Sequence, residues 1–374
     1  MYASAYVDTV MKPIVEGTPA FIKDTTDFLL AIGEVKHNNQ GYLATGDVAS
    51  LYTVIPHTDG LKALKHHLDK RDDQNPSTSC IVRLAELVLT LNAFEFNNQF
   101  YQQVSGVAMG TKMGPTYADA FMAYLEEKLF ERKPHPPSTV YKRFRDDIFI
   151  FSADNVDTFT NLAEELNGMH PNIKIEFNQG RSLPYLDTVV TMTNDSLKTT
   201  VYYKPTDSHS YLLYTSHHPR NTRDAIPFSQ FLRLRRICSE EEDFLEKGRE
   251  MKEFFRGKLY PNRVVEAAFN RVKIIPREVA LQQSNRTTEE KLPFVLTFNQ
   301  IGQATMGTIR ELYKDTIGQD AELKRIFPNV PTAAYRRPKN LRDLLVRARL
   351  NQERREPHPY PGTIPCNVKK MPYM

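Results

Sequence analysis

The chain is predicted to be α+β: an antiparallel sheet backed by helices, followed by a mainly helical part. Three observations carry this reading. Residues 141–151, Tyr-Lys-Arg-Phe-Arg-Asp-Asp-Ile-Phe-Ile-Phe, are two runs rich in β-formers that meet at Arg145, Asp146 and Asp147, a hairpin with two acids at its tip. An apolar run over 115–131 opens on Pro115, which suits a first helical turn. From about Ser208 the β signal fades, and helical spacing dominates over 228–238, 240–256 and 263–275.

The remaining elements follow in order. Residues 21–35 read as a helix that starts at Asp24 or Thr25. A strand-like segment around Asp47 comes next, then helical spacing over 61–68 and 81–91. Residues 94–101 read as strand, Asn-Asn turn, strand. After the long helix and the acid-tipped hairpin come a helix over 156–167 and strands near 173–177, 185–192 and 199–203. The polar stretch 275–291 contains Pro276 and a Gln-Gln-Ser-Asn run and reads as a linker or exposed loop. A strand over 292–298 and helices over 301–316 and 341–350 follow. The tail from Arg354, with Pro357, Pro359, Pro361 and Pro365, is expected to be disordered. The resulting division is 1–40, 41–207, 208–275, 276–353 and 354–374.

With 374 residues, 40% of them hydrophobic, the chain can bury real cores, which excludes a disordered protein. Its net charge of +4 permits nucleic-acid binding without demonstrating it. Basic residues cluster locally, as Arg233, Arg235 and Arg236, and again as Arg336, Arg337, Lys339, Arg342, Arg347, Arg349, Arg354 and Arg355. The alternative for each cluster is a solvated helix face. Cys80, Cys238 and Cys366 lack metal-ligand spacing and point to a reducing compartment. No apolar run approaches a membrane span and no signal peptide opens the chain, so an intracellular protein without a membrane partner is expected.

The chemistry resides in the acids. Adjacent Asp146 and Asp147 repel one another, and apolar flanks give them nothing; they are either solvated turn residues or are compensated by a divalent cation. Support for the cation comes from Thr45-Gly46-Asp47-Val48-Ala49-Ser50-Leu51-Tyr52, a second strand-like segment with one acid followed five residues later by Tyr52. One acid plus a paired acid makes a two-metal constellation, with ions roughly 3.5–4 Å apart in phosphoryl transfer. The hardness of Mg²⁺ calls for such oxygen ligands. Between the acids lies Gln103-Val104-Ser105-Gly106-Val107-Ala108-Met109-Gly110-Thr111-Lys112-Met113-Gly114-Pro115, whose glycines would let backbone approach a nucleotide and whose helix N-terminus favours phosphate.

In order and separation these three segments resemble the catalytic motifs of reverse transcriptases. The wording is closer still to the reverse transcriptase of Penelope-like retroelements, through Asp47 to Pro56, the Gln103–Pro115 loop, Arg-Asp-Asp-Ile-Phe, and Leu183-Pro184-Tyr185-Leu186-Asp187. It continues through Tyr203-Lys204-Pro205-Thr206-Asp207, Ser216-His217-His218-Pro219 and Phe231-Leu232-Arg233-Leu234-Arg235-Arg236-Ile237-Cys238-Ser239, and so covers most of the chain. The resemblance implies a right-hand polymerase palm over 41–207 and a helical thumb over 208–275, within which 211–239 is similar to a helix-turn-helix. It implies RNA-directed DNA synthesis from dNTP on an RNA template and DNA primer, in the nucleus.

The same resemblance assigns roles. Asp47, Asp146 and Asp147 would be catalytic and hold two Mg²⁺ ions, or Mn²⁺, with Asp146 the more direct ligand of the pair. Tyr52 would lie under the incoming sugar; its alternative is a half-buried strand tyrosine. Met109 and Gly110 would line the nucleotide pocket, with Gln103 and Gly106 supporting the loop. Leu186 and Asp187 fall where a primer grip is expected. Lys204, His217, His218, Arg233, Arg235 and Arg236 would hold template–primer phosphates, though both histidines also suit a structural or surface role. Relatives carry fingers segments with a triphosphate-gripping basic residue before the first catalytic strand and a GIY-YIG endonuclease at the end. Neither is recognisable here, so a palm-and-thumb portion is expected. A catalytically silent nucleic-acid-binding remnant is the alternative, and a two-metal nuclease would need neither Tyr52 nor the Gly-rich loop.

Overall fold

The computed structural model describes residues 2–33, 35–36, 41–97, 99–135, 138–153, 156–282 and 293–339. The described residues divide into two compact units, one within 2–207 and 236–245, the other within 208–235 and 246–339. The first unit begins with helices α1 (Tyr2–Glu16) and α2 (Thr25–Ile32), strand β1 (Tyr42–Val48), and helices α3 (Leu51–Val54), α4 (His57–Asp69) and α5 (Thr78–Thr90). The ribbon β2 (Ala93–Phe96) and β3 (Gln99–Gln102) leads to α6 (Gly114–Arg132), the hairpin β4 (Thr139–Phe144) and β5 (Asp147–Ser152), and α7 (Val156–Gly168). Strands β6 (Ile175–Gly180), β7 (Ser182–Tyr185), β8 (Thr188–Met192) and β9 (Leu197–Val201) complete it.

The central sheet is four-stranded, in the order β4-β5-β1-β6, with every neighbour antiparallel. It is buried on both faces, and strand alternation sorts its side chains between two cores. On one face, Tyr42, Ala44, Val48, Ile148 and Ile150 meet the helices, chiefly Tyr117, Phe121 and Met122 of α6. On the other, Leu43, Phe149 and Phe151 pack with Phe28 and Ile32 of α2 and with Tyr185, Val190 and Met192. Phe28 sits edge-on to Phe149 at 4.9 Å and tilts against Tyr185 at 4.6 Å. Strands β7, β8 and β9 form a second antiparallel sheet of three.

The second unit is mainly helical. Helices α8 (Arg220–Ile237) and α9 (Glu241–Gly257) run across the division of the units, followed by α10 (Asn262–Lys273) and α11 (Arg277–Leu281). Its core is aromatic: Phe231 meets Phe269 at 5.1 Å and Phe255 at 5.9 Å, and Tyr260 tilts against Phe255. Glu241, Glu242 and Asp243 open α9 and Arg256 closes it, charges that complement the helix dipole. Beyond lie β10 (Pro293–Thr297), α12 (Gln300–Asp315), α13 (Ala321–Ile326) and β11 (Thr332–Arg336), with β10 and β11 paired in parallel.

Several expectations are corrected. The helix expected over 21–35 is shorter, capped at its start by the Asp24 side chain, while Phe21 forms an isolated bridge with Arg143. Helix α1 was not foreseen, because Pro13 interrupts its pattern. The strand expected over 185–192 is two strands: Leu186 takes a left-handed φ of 54° and turns the chain between β7 and β8. The expected loop over 275–291 contains α11, and β11 was not anticipated. The helix expected over 341–350, the tail, Cys366 and the basic residues from Arg342 onward lie outside the described residues.

Candidate functional site

Register assembles the acids. Asp147 opposes Phe144 across β5 and β4, Asp47 opposes Asp147 across β1 and β5, and Glu176 opposes Asp47 across β6 and β1. Directly opposed residues share a face of the sheet with Cβ atoms about 4.5–5.5 Å apart. Asp147, Asp47 and Glu176 therefore form a row at one end of the sheet. Asp146 lies in the two-residue turn beside it, and its carbonyl accepts the Val48 N–H at 3.0 Å, tying the hairpin tip to β1. Arg145, the other turn residue, adopts a left-handed φ of 58°.

The row is compensated only in part, by Lys204. Burial raises the Asp147 pKa to about 6, with Asp146 and Asp47 adding to the rise and Lys204 opposing it. Asp47 is also raised, by burial first and then by Asp146 and Glu176, again against Lys204. Like charges directly opposed on a sheet destabilise it, and a bound cation reverses that penalty. Among the described residues no three His, Cys, Asp or Glu side chains converge on a single point fit for a metal ion. Mg²⁺ does not require that, since it keeps waters and is held by one or two carboxylates plus substrate phosphates. Asp47, Asp146 and Asp147 supply such hard oxygen donors, so the residues present fit the ion.

A stability consequence follows for chelated protein. Because the folded pKa of Asp147 lies above its unfolded value of 3.8, ionisation opposes folding, and stability is lost as pH rises from about 4 to about 6. Asp147→Asn is expected to raise stability near neutral pH by about 1–2 kcal/mol, allowing for solvent screening, and to have no effect below about pH 4. Thermal melts at both pH values check this. An Asn variant less stable at neutral pH would show that the aspartate is compensated within the protein.

A cleft of about 890 Å³ opens beside the hairpin tip, lined by Tyr52, Met109, Gly110, Asp119, Arg145 and Asp146 among others. It thus gathers Tyr52, Met109 and Gly110 with one of the three acids. Tyr52, on α3, is half-buried; burial raises its pKa, and the nearby charge of Arg145 opposes the rise. Met109 is 76% exposed. The backbone around Gly106 requires a glycine. Its φ is +72°, and a Cβ there would stand 2.6 Å from the Thr53 Cα and the Tyr52 carbonyl, so this glycine lets the loop close onto α3. Two bonds hold that closure, Gly106 N–H to Ile55 C=O at 2.9 Å and Val107 N–H to Tyr52 C=O at 2.6 Å. The Gln103 side chain donates to the Ser105 carbonyl at 3.0 Å, within the loop. A Cβ at Gly110 would meet nothing within 4 Å.

The other predicted residues are spread more widely. Leu186 packs partly into the core beneath the sheet, and Asp187 accepts a hydrogen bond from the Thr25 hydroxyl at the start of α2. Lys204 is exposed and acts electrostatically on Asp47 and Asp147. In the second unit His217 lies against the Phe298 ring at 4.9 Å. Arg233, Arg235 and Arg236 are partly buried on α8, and Arg235 Nε donates to the Ile275 carbonyl at 2.8 Å. If they nonetheless contact phosphates, affinity for template–primer falls with salt at a slope near about −0.9 per duplex phosphate neutralised. Replacing all three with Gln is then expected to flatten the slope; an unchanged slope would assign them to intramolecular bonds.

Sequence reading missed Glu176 and gave no role to Asp119, Arg143 or Arg145. Glu176 lay inside an expected strand, and only its pairing with β1 reveals it.

Comparisons with known proteins bear on this arrangement. A family model, the animal helix-turn-helix domain, matches residues 210–270, the span of α8, α9 and most of α10. No curated protein matches the chain. Among solved structures, telomerase from Candida albicans with the TWJ fragment of telomeric RNA superposes at TM-score 0.52 and 11% identity, covering 88% of this chain and 56% of that one. The likeness is one of fold. Apo telomerase from Candida tropicalis aligns at TM-score 0.46 and 10% identity, over 72% of this chain and 51% of that one. The chain thus spans about half the length of these structures.

Proposed function

We propose that this chain is the palm and helical thumb of an RNA-directed DNA polymerase from a Penelope-like retroelement, which adds dNTPs to a DNA 3′-hydroxyl on an RNA template. One observation carries the reading: Asp47 opposes Asp147 at the end of the central sheet, with Asp146 in the adjoining turn. The cleft that joins Asp146 to Tyr52 and Met109, the telomerase-like fold and the helix-turn-helix match support it.

In this reading Asp47, Asp146 and Asp147 hold two Mg²⁺ ions, which when bound lower the pKa of the attacking hydroxyl and neutralise charge on the leaving pyrophosphate. The protein's own groups orient the reactants. Tyr52 presents its ring to the sugar, Met109 and Gly110 border the base, and the loop that Gly106 closes onto α3 fixes Tyr52. Lys204, which acts on Asp47 and Asp147, offers a cation to phosphate. Leu186 and Asp187 carry the primer grip, and His217 with the α8 arginines meets the duplex backbone. A nuclear location follows from the retroelement reading.

The test is primer extension by the intact protein on an RNA template with a DNA primer, dNTPs and Mg²⁺, against a chelator control. Metal-dependent, template-directed extension is expected. Template–primer binding without extension would instead favour a silent nucleic-acid-binding remnant, and strand cleavage without extension a nuclease.

A further inference from the structure

Arg143 is the bulkiest of the fully buried side chains, with 0% of it exposed. A guanidinium so placed needs a partner for each donor. Its Nε donates to Glu126 Oε1 at 2.6 Å, and its Nη2 to Glu126 Oε2 at 3.2 Å and the Asp119 carbonyl at 3.4 Å. Its Nη1 donates to Asp119 Oδ1 at 2.9 Å and to the Arg145 carbonyl at 3.0 Å. Tyr141 adds a hydroxyl bond to Glu126 Oε1 at 2.9 Å. The main chain is held as well: Arg143 N–H donates to Ala20 C=O at 2.7 Å, and its carbonyl accepts from Ile22 N–H at 3.0 Å.

Four of the five guanidinium bonds join β4 to α6. The fifth leaves the helix and reaches the first residue of the turn that carries Asp146. That turn contains no glycine, and Arg145 occupies a left-handed conformation that side chains disfavour and that persists only where the surroundings impose it. The imposing contacts are visible: the Nη1 bond to its carbonyl and its guanidinium 5.3 Å from the Phe144 ring centre. An apolar side chain at position 143 would fill the same core without removing three charges from water, as Ile148 and Ile150 do nearby. It would not supply a donor to Arg145.

We propose that Arg143 is a positioning residue: its Nη1 fixes the Arg145 carbonyl and with it the turn that aims Asp146, while Glu126 and Asp119 hold the guanidinium still. The role rests on the polymerase reading above, in which Asp146 is catalytic. Arg143 itself touches no substrate. Burial opposes its charge, but Glu126 and Asp119 more than restore it, so it stays protonated throughout the working pH range.

The test compares the intact wild-type protein with Arg143→Lys, whose single ammonium cannot serve Glu126, Asp119 and the Arg145 carbonyl together as the fork does. The kcat for dNTP incorporation is expected to fall about 10–100-fold, the scale of an ångström-sized misplacement. KM for dNTP and template–primer affinity should stay within about 3-fold. Because Arg143→Lys can also lose folding, a second variant combines Arg143→Met, Glu126→Gln and Asp119→Asn, leaves no buried charge, and is expected to fold with the same loss of kcat. Wild-type kcat in either folded variant, or a loss that merely tracks the unfolded fraction or appears in KM alone, overturns the positioning role while leaving the polymerase reading in place. A wild-type protein that does not extend primers overturns that reading, and the positioning role with it.

Discussion

Asp146→Asn is expected to lower primer extension by at least about 10²-fold, the scale of losing one preorganised electrostatic group. The side chain keeps its size and loses its charge, so the loss reports on charge. The turn should survive, because its tie to β1 runs through the Asp146 carbonyl and Val48, which the substitution leaves alone. Template–primer affinity should therefore remain near wild type. Extension rates and binding isotherms on the same preparation separate the two quantities. Near-normal extension would remove Asp146 from the metal-binding set, and lost binding with intact folding would make it a contact for nucleic acid.

Tyr52→Ala is the next largest effect, because it separates DNA synthesis from other uses of the same carboxylates. A ring beneath the sugar discriminates by collision with a 2′-hydroxyl. Its removal should lower the preference for dNTP over rNTP by about 10-fold or more, roughly 1.4 kcal/mol of lost discrimination. Tyr52→Phe keeps the ring and should keep the preference. A tyrosine that only filled space would reduce use of both nucleotides together. The ratio of incorporation efficiencies for the two nucleotide types is the measurement, and an unchanged ratio in the Ala variant makes Tyr52 structural.

The parts of the molecule legible in sequence are those encoded by neighbours along the chain. Two runs of β-formers around Asp146 and Asp147 announce the hairpin, and the Asn-Asn pair announces the ribbon of β2 and β3. Asp24 announces the start of α2 because its side chain can cap only there. What escaped is encoded between distant segments. Glu176 is an ordinary strand acid until β6 pairs with β1. Arg143 shares the buried face of β4 with Thr139 and Tyr141, but the partners that hold its charge there lie on α6. Leu186 takes the left-handed turn position itself, where a glycine would have announced it. Gly106 was recognised as a glycine that must be there, while the backbone it makes room for belongs to α3, some fifty residues earlier.

The placement of β1 has a consequence for how the protein is made. Both of its edges are paired by strands that come much later, β5 at 147–152 and β6 at 175–180. The hairpin of β4 and β5 can form as soon as it is synthesised, since its strands adjoin in sequence. Asp47 waits far longer, and joining it to Asp147 closes a long loop whose entropic cost precedes any reward from the contacts. Until β5 has emerged, at about residue 152, β1 has no partner on either side, and its other edge stays open until about residue 180. The growing chain can hold a helix and a hairpin, but it has no assembled row of acids. Any metal affinity that Asp47 and Asp147 share thus arrives late, with the pairing of β1 and β5.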